Sequence, residues 1–324
     1  MGRIKNRTWG IGSIIEEFLS KPYMLDMGAG KLGKRYRVAK DVIYEARKRA
    51  KETIKGNSLQ SKMPKILIFD IETTPLEAYI WQSQVWNAHV SQDKILSEWF
   101  MLTWSAKWLG SSEVLSDRLL GVEALEENDK RIVKSLWELF NEADIVIAHN
   151  GGKFDVPNMN TRFLVNGFPP PRSYQIIDTL KIARKEFGFT HNNLDALARV
   201  FGLEGKIETN FKLWKDCKYG DDNALIKMET YNKQDVLLLE EVYFVLRPWM
   251  RSHPNVGLFL ESDTPVCSHC GNTHLEWDGG YYFTMVSKFK TLKCQSPKCG
   301  AINRQRVTEI GKDVRKNLIV SIAR

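Results

Sequence analysis

Four acids and one tyrosine, in three separate segments of the chain, are of the types that bind divalent metal and cleave phosphodiesters. They are Asp70 and Glu72 in FDIETTP, Asp155 in HNGGKFDVP, and Tyr231 and Asp235 in YNKQD. Crowded carboxylates raise one another's pKa unless a cation neutralises them. All-oxygen ligation suits Mg²⁺ or Mn²⁺, and two such ions about 3.5–4 Å apart can stabilise both the attacking and the leaving oxygen. We therefore expect two catalytic Mg²⁺ or Mn²⁺ ions held by the four acids, with Tyr231 orienting the attacking water.

The local sequence pattern predicts how these side chains meet. An apolar run at residues 66–69 leads into Asp70 and Glu72, and the period of two puts both carboxylates on one face of a strand. Tyr231 and Asp235 are four residues apart in a helix predicted at about residues 224–246, so they point to the same side. Asp155 comes from a separate loop. Four carboxylates can then converge on one point.

The order and flanking residues of these blocks resemble the DEDD superfamily of 3′→5′ exonucleases in its tyrosine subtype, as found in the proofreading domains of family-B DNA polymerases. The resemblance spans about residues 65–246 and includes HNGGKFD, Arg162, IDTLKIA and NNLDALARVFGLEGK. No polymerase follows this block, so the chain is more similar to the stand-alone RNase H-like exonucleases of bacteria and their viruses. The histidine subtype is disfavoured, because its catalytic histidine would stand where this chain has Thr230.

The resemblance implies an α/β fold, an RNase H-like domain with a mixed sheet, and a role for each acid. Asp70 would bridge two metal ions, Glu72 and Asp235 would complete one metal site, and Asp155 would help to hold the second. Tyr231 would position the nucleophilic water. The implied activity is 3′→5′ exonucleolytic release of nucleoside 5′-monophosphates.

The substrate is less well defined than the chemistry. The resemblance implies that Asn150 and Phe154 shape the substrate cleft, although both can equally be structural. DNA is favoured over RNA, with single strands preferred, because of the polymerase resemblance. The alternatives are a ribonuclease or structure-specific endonuclease with the same site, and a DNA-binding adaptor or regulator that does not cut. The intact set of acids argues against the adaptor.

Net charge differs between three regions and suggests the partner. Residues 1–63 hold 15 Lys and Arg against 6 Asp and Glu, residues 64–261 hold 22 against 28, and residues 262–324 hold 10 against 5. Basic segments that flank an acidic centre are expected if the ends hold a polyanion that the centre cuts. The predicted domains have the same bounds. Residues 1–63 are a basic helical module with its linker, and residues 64–261 are the exonuclease domain. Residues 262–324, which contain four cysteines, are a zinc ribbon with a basic tail.

The remaining composition predicts a cytoplasmic protein. Charged residues interrupt every apolar stretch well before membrane-spanning length, and the basic N-terminus has too short an apolar run for a signal peptide. Replication or repair proteins are candidate partners, whereas the oligomeric state cannot be read from the sequence. Residues 81–99 are polar and aromatic without periodicity, which suggests an insertion that could cover the cleft.

The middle region alternates strands and helices. Apolar runs predict strands at residues 66–70, 100–109 and 145–149. Helical periodicity predicts helices at residues 123–140, 156–165 and 194–201 before the last long helix. Asp178 and Asp195 fall near helix starts, where a carboxylate can accept backbone N–H bonds.

The first 63 residues predict three helices. Apolar positions at helical spacing lie around Ile14 and Phe18, over residues 29–36, and from Val42 onwards. The last two helices resemble a helix-turn-helix whose recognition-like helix would contact DNA, and residues 55–63 read as the linker. The alternative is a basic, solvated helix that packs on the nuclease or contacts phosphates without reading sequence. The predicted DNA-contacting residues are Arg47, Lys48, Arg49 and Lys51.

Four cysteines near the other end predict one structural zinc ion. They form a C-x₂-C pair and a C-x₄-C pair separated by 23 residues, namely Cys267, Cys270, Cys294 and Cys299. Four thiolates favour tetrahedral zinc, which would stabilise so small a lobe by roughly 10–16 kcal/mol. Disulfides are the alternative, and Cys217 is predicted to be an ordinary buried or half-buried thiol.

The segment between the two cysteine pairs predicts a hairpin. Gly279-Gly280 is a turn signal, and residues 281–293 alternate as a strand does. The aromatic and basic residues of this segment could form a platform for single strands, or they could be ribbon core and solvated edge. They are Tyr281, Tyr282, Phe283, Lys288, Phe289, Lys290 and Lys293.

Overall fold

The computed structural model describes residues 9–61, 63–81, 90–203 and 207–322. The chain forms two compact units, Met1–Met63 with Phe259–Ser262, and Pro64–Leu258 with Asp263–Arg324. Within the described ranges, every helix is too short or too polar to cross a bilayer.

The described part of the first unit contains three α-helices, as the sequence predicts: α1 (Ile11–Ser20), α2 (Ala29–Tyr36) and α3 (Lys40–Ser61). Apolar side chains from all three helices form its core, including Ile14, Phe18, Leu32, Tyr36, Ile43 and Ala46. Arg37 ends α2 in the left-handed conformation, in the turn between α2 and α3. The predicted linker from residue 55 is wrong, because α3 continues to Ser61. A single Gly, Asn or Ser costs about 1 kcal/mol or less and does not stop a helix that is already nucleated.

The strands of the second unit include β1 (Ile66–Thr73), β2 (Glu77–Ala78), β3 (Ile95–Ser97), β4 (Met101–Trp108), β5 (Leu115–Arg118), β6 (Ile145–Ala148) and β7 (Gln175–Asp178). Five of them form a mixed sheet in the order β5-β4-β1-β6-β7. Strands β6 and β7 run parallel to the central β1, whereas β4 pairs antiparallel with both β1 and β5. Strand β1 is buried from Ile66 to Phe69 and again at Ile71, whereas Asp70, Glu72 and Thr73 are half-buried. This is the mixed α/β architecture that the sequence predicts.

Among the described residues, seven α-helices accompany this sheet, and the longest of them positions the candidate site. They are α4 (Gly121–Leu125), α5 (Lys130–Phe140), α6 (Asp155–Val165), α7 (Thr179–Glu186), α8 (Leu194–Phe201), α9 (Phe211–Lys218) and α10 (Asp222–Leu246). Helix α10 packs across β1 and β4. Strands β2 and β3 pair with each other, and the predicted insertion at 81–99 falls partly outside the described residues.

The single helix predicted at residues 123–140 is wrong, because the chain forms α4 and α5 with a break between them. Glu127 has a left-handed φ of 52° at the break. Asp129 is fully buried there, accepts the Met101 N–H at 2.9 Å and pairs with the Arg162 guanidinium at 2.5 Å. The carboxylate of Asp129 therefore ties the start of α5 to β4 and α6.

The cysteine-containing end adds a three-stranded antiparallel sheet in the order β10-β9-β8. After the short helix α11 (Gly257–Leu260) come β8 (Leu275–Thr284), β9 (Ser287–Cys294), β10 (Ile302–Arg304) and α12 (Lys312–Arg315). The predicted turn at Gly279-Gly280 is wrong, because the hairpin turns between Thr284 and Ser287. The two glycines form an irregularity inside β8, where Gly279 has a φ of 84° and Asp278 accepts the Gly280 N–H at 2.9 Å.

Candidate active site

Three of the predicted acids meet where α10 crosses the central strand. Carboxylate oxygens of Asp70, Glu72 and Asp235 all lie within 4.8 Å of one another. Asp70 and Glu72 share one face of β1 because Ile71, between them, is buried on the other face. Asp235 comes from the buried face of α10. The strand and the helix therefore bring together acids that are more than 160 residues apart in the sequence.

Asp155 lies beside this group and is only 2% exposed. It begins α6, and its Oδ1 accepts the Ile71 N–H at 3.4 Å, which places it against β1. Among the described residues it does not belong to the 4.8 Å group. Burial raises the pKa of Asp155 to about 7, the Ile71 N–H opposes this rise, and the negative charge of Asp178 adds to it. A cation at this position would stabilise the ionised carboxylate.

The loop that carries Asp155 is held by Asp178. The Asp178 carboxylate accepts the N–H groups of Asn150 at 3.0 Å and Gly152 at 3.2 Å, and it also caps the start of α7. Its predicted capping role is therefore confirmed. Gly151 is required by close packing, because a Cβ there would lie 2.4 Å from the Ala148 Cβ. These contacts fix the backbone that leads into α6.

The two residues predicted to shape the substrate cleft flank this loop. Asn150 has a φ of 69°, in the left-handed region that asparagine tolerates better than most residues. Phe154 immediately precedes Asp155 and is 42% exposed. Their contact with substrate stays a prediction.

Tyr231 lies one helical turn before Asp235 and is 5% exposed. Its ring packs edge to face against Trp214 of α9, with centroids 6.1 Å apart. The indole Nε1 of Trp214 donates to Glu72 Oε2 at 3.2 Å. Trp214 thus contacts both the tyrosine and one acid. The sequence pattern did not identify Trp214 as a site residue, because a tryptophan in an amphipathic helix usually indicates core packing.

Asn232 is a second site residue that the sequence pattern did not identify. It is fully buried on α10, and its Nδ2 donates to Asp70 Oδ2 at 2.6 Å. A polar residue on the buried face of a helix needs a partner, and this is the signal that could have identified it. Asn232 therefore orients the acid at the centre of the group.

The donor set of this site suits a hard divalent cation. The converging ligand atoms are carboxylate oxygens, which is the chemistry of Mg²⁺ and Mn²⁺ sites. Three carboxylates so close together repel one another, and a cation between them removes that repulsion. The residues present therefore fit a metal-dependent centre.

The four predicted DNA-contacting residues of α3 differ in their surroundings. Arg47 donates to the Met27 carbonyl, and Arg49 pairs with Glu45 at 2.7 Å. Lys48 and Lys51 are exposed. Arg49 is exposed as well and Arg47 is half-buried, so Lys48, Arg49 and Lys51 are the accessible residues of the four.

The four cysteines of residues 262–324, here called the cysteine lobe, converge as predicted. All four Sγ atoms lie within 4.8 Å of one another, with Cys267 and Cys299 at 3.7 Å and Cys270 and Cys294 at 3.6 Å. These distances are near the edge of a tetrahedron with Zn–S bonds of about 2.3 Å. None of these thiols is in a disulfide. The cluster is compatible with a zinc ribbon.

Cys217 lies outside this cluster and is fully buried. Burial raises the pKa of its thiol to about 12, so it stays protonated and unreactive. The predicted ordinary buried thiol is confirmed.

The cysteine lobe contacts the end of α10. Arg247 Nη2 donates to the His269 carbonyl at 2.5 Å, and the rings of His253 and His269 stack with centroids 4.6 Å apart. The Tyr243 hydroxyl lies 2.9 Å from His253 Nε2. Burial lowers the pKa of His253 to about 4, with a further contribution from His269, so its ring is neutral at pH 7. The helix that carries Asp235 therefore also supports the cysteine lobe.

The middle of the chain is similar to a known protein family. Residues 109–247 match the model of RNase_H_2, a family of the RNase_H superfamily. This match and the five-stranded mixed sheet define an RNase H-like domain. The matched segment contains Asp155, Tyr231 and Asp235, whereas Asp70 and Glu72 precede it.

One similar solved structure is a family B DNA polymerase from the hyperthermophilic archaeon Pyrobaculum calidifontis. The two chains are 16% identical, with a TM-score of 0.41, and the similarity covers 57% of this chain and 25% of the polymerase. The chain thus corresponds to about a quarter of that polymerase. No curated protein matches the chain.

Proposed function

We propose that this chain is a metal-dependent 3′→5′ exonuclease of the tyrosine subtype that hydrolyses DNA to nucleoside 5′-monophosphates. The observation that carries the proposal is the convergence of Asp70, Glu72 and Asp235 within 4.8 Å, with Tyr231 one helical turn from Asp235. Such a cluster of carboxylates in an RNase H-like domain is suited to divalent metal and phosphodiester cleavage.

Each residue of the site has a definite role in this proposal. Asp70, Glu72 and Asp235 would hold one metal ion, and Asp155 would help Asp70 to hold a second. When bound, the metal ions stabilise negative charge on the attacking and leaving oxygens. Tyr231 orients the attacking water.

Two further residues position these groups. Asn232 fixes the Asp70 carboxylate through its 2.6 Å hydrogen bond, and Trp214 fixes Glu72 while packing against Tyr231. Part-buried hydrogen bonds of this kind hold ligands in a productive geometry before the substrate arrives.

DNA is the proposed substrate, with single strands preferred. The second candidate is a ribonuclease or structure-specific endonuclease that uses the same acids. A non-cutting adaptor is the third, but it gives no reason for three carboxylates to be held so close together. In the same proposal the cysteine cluster binds one structural zinc ion, and the basic helix α3 contacts DNA.

The experiment that tests the proposal is digestion of DNA that is labelled at either the 5′ or the 3′ end. Single-stranded and duplex DNA are compared with matched RNA, in the presence of Mg²⁺ or Mn²⁺. Wild type is compared with Asp70→Ala plus Asp155→Ala. Asp195→Ala is the matched control, because Asp195 lies on α8 and pairs with Arg199 at 2.6 Å. We expect a metal-dependent ladder that shortens from the 3′ end, is lost in the double variant and is retained in the control.

Other products would select the alternatives. Internal cleavage, or cleavage of RNA alone, would replace the exonuclease with the second candidate. Intact strands with tight binding that does not depend on metal would select the adaptor.

A further inference from the structure

One face of the β8–β9 hairpin exposes a row of aromatic rings, here called the hairpin stripe: Trp277, Tyr281 and Phe283. The ring centroids of Trp277 and Tyr281 are 5.8 Å apart, and those of Tyr281 and Phe283 are 6.4 Å apart. Trp277 is 51% exposed, Phe283 is 65% exposed, and Tyr281 between them is half-buried. Rings that built the ribbon core would be buried, so the exposed rings at the two ends of this row indicate a binding surface.

Two lysines of β9 lie among these rings. Lys288 pairs across the hairpin with Phe283, and Lys290 pairs with Tyr281. Lys288 Nζ is 3.6 Å from the Tyr281 ring centroid, and Lys290 Nζ is 5.4 Å from that of Trp277. Aromatic rings that alternate with cations suit a ligand with flat bases and a negatively charged backbone.

Two acidic side chains lie near the hairpin stripe. Glu309 lies 3.8 Å from Lys290 Nζ in a surface ion pair, which stabilises the fold little and can be replaced by a phosphate. Asp278 accepts a hydrogen bond from the Thr291 hydroxyl. Because side chains alternate along β9, Thr291 and its partner Asp278 lie on the face opposite to Lys290. Lysines and arginines outnumber acids ten to five over residues 262–324.

The spacing of the rings distinguishes single strands from duplexes. Successive nucleotides in a duplex strand are about 3.4 Å apart along the axis, and their bases are already stacked. Trp277 and Phe283 are separated by the Tyr281 ring, at centroid distances of 5.8 and 6.4 Å, so they can receive bases only from a strand whose bases are separated. A flexible single strand meets this condition.

We propose that the hairpin stripe is a binding site for single-stranded nucleic acid. Bases stack on Trp277 and Phe283, and Lys288 and Lys290 contact the phosphates on either side. The inference rests on the proposed function in taking nucleic acid as the ligand, and it adds a site outside the carboxylate centre that holds the strand.

The opposite face of the same strand offers a matched control. Tyr282 is 49% exposed, but it pairs with the buried Phe289 and lies under the Arg304 guanidinium, 5.2 Å from its ring centroid. Phe283 and Tyr282 are adjacent in β8, and replacing either of them by alanine removes one exposed ring. Only Phe283 belongs to the hairpin stripe.

The test measures fluorescence anisotropy of a labelled oligo(dT) with the full chain, in the Asp70→Ala background and without added Mg²⁺, so that no strand is consumed. We expect Trp277→Ala and Phe283→Ala each to weaken binding by about tenfold, as the loss of one stacked base predicts. Tyr282→Ala should change the affinity by less than about twofold, since its ring contributes no base stacking. Lys288→Ala plus Lys290→Ala should reduce the slope of log Kd against log salt by about 1.4, because each single-strand phosphate contact contributes about 0.7.

Zinc content and the far-UV spectrum of each variant establish that the lobe is folded. Equal affinities of the folded Phe283→Ala and Tyr282→Ala proteins would overturn the proposal. An equal loss of affinity for a duplex of the same length would also overturn it.

The same variants separate this proposal from the proposed nuclease function. If wild type binds through the hairpin stripe but never cuts, the nuclease function fails while this site remains. If wild type cuts and the hairpin variants bind normally, the hairpin site fails while the nuclease function remains.

Discussion

At the scale of single residues, two neutral side chains donate hydrogen bonds to acids of the candidate site. Asp70 is held by the amide of Asn232, and Glu72 by the indole of Trp214. Both are donors that leave the negative charge of the carboxylate unchanged. A lysine or arginine there would compete with a metal ion for the acids, whereas an amide or indole orients the acid and preserves its charge for the metal.

Replacing Asn232 by leucine should therefore weaken the response to metal. The leucine fills a similar volume but donates no hydrogen bond, so Asp70 loses the contact that fixes its orientation. We expect the Mg²⁺ concentration for half-maximal cleavage to rise by about 10- to 100-fold, as is typical when a residue supporting a metal ligand is lost. A titration of cleavage rate against Mg²⁺ measures this shift.

Thr230→Ala is the control for the Asn232 variant, because Thr230 is on the same helix but exposed. Its Mg²⁺ midpoint should match that of wild type. If Asn232→Leu lowers the rate at saturating Mg²⁺ and leaves the midpoint unchanged, Asn232 does not act through the metal site.

At the scale of elements, α10 connects two parts of the protein. Its middle carries Tyr231 and Asp235, and its last turns, with Arg247, contact the cysteine lobe. The lobe is small, and its buried cluster consists mainly of cysteines. Such a lobe depends on metal for folding more than on its own core.

Removing the metal should therefore unfold the cysteine lobe and spare the carboxylate site. Cys294→Ser should lose bound zinc and the native fluorescence of Trp277. Hydrolysis of the p-nitrophenyl ester of thymidine monophosphate, which needs no strand binding, should stay within about threefold of wild type, because local unfolding need not spread to the larger core. Zinc analysis, fluorescence and this assay form one experiment.

Cys217→Ala is the matched control for the cysteine lobe, since it removes a buried thiol outside the cluster. It should retain one zinc ion per chain. Loss of ester hydrolysis in Cys294→Ser would mean that the contact with the lobe is needed to hold α10 in place.

The elements also show which features could be predicted from the sequence. The paired acids of β1 and the Tyr231–Asp235 pair follow from local periodicity, so both were predicted. The partners of Asn232 and Trp214 lie 162 and 142 residues away, beyond the range of any local pattern. The break between α4 and α5 likewise depends on the distant Arg162. A Gly-Gly pair such as Gly279-Gly280 can form either a turn or an irregularity within a strand. Hydrogen bonds to the neighbouring strand decide which of the two conformations forms.

At the scale of the whole molecule, charge is distributed unevenly along the chain. Residues 64–261 carry a net charge of −6, whereas residues 1–63 carry +9. An acidic centre repels a polyanion until metal binds, so segments elsewhere must supply much of the attraction to nucleic acid. In the first unit, Lys48 and Lys51 of α3 are exposed and suited to contact phosphates.

Lys48→Ala plus Lys51→Ala should weaken binding to duplex DNA by a similar factor for every sequence tested, because lysines that contact phosphates carry no base information. The slope of log Kd against log salt should fall by about 1.8, since each duplex phosphate contact contributes about 0.9. Lys130→Ala plus Lys227→Ala makes the same change in net charge within the acidic segment and should leave the slope unchanged. Equal slopes for the two double variants would show that total charge, and not α3, attracts the DNA. A loss of affinity confined to one duplex sequence would instead indicate that these lysines take part in sequence readout by a helix-turn-helix.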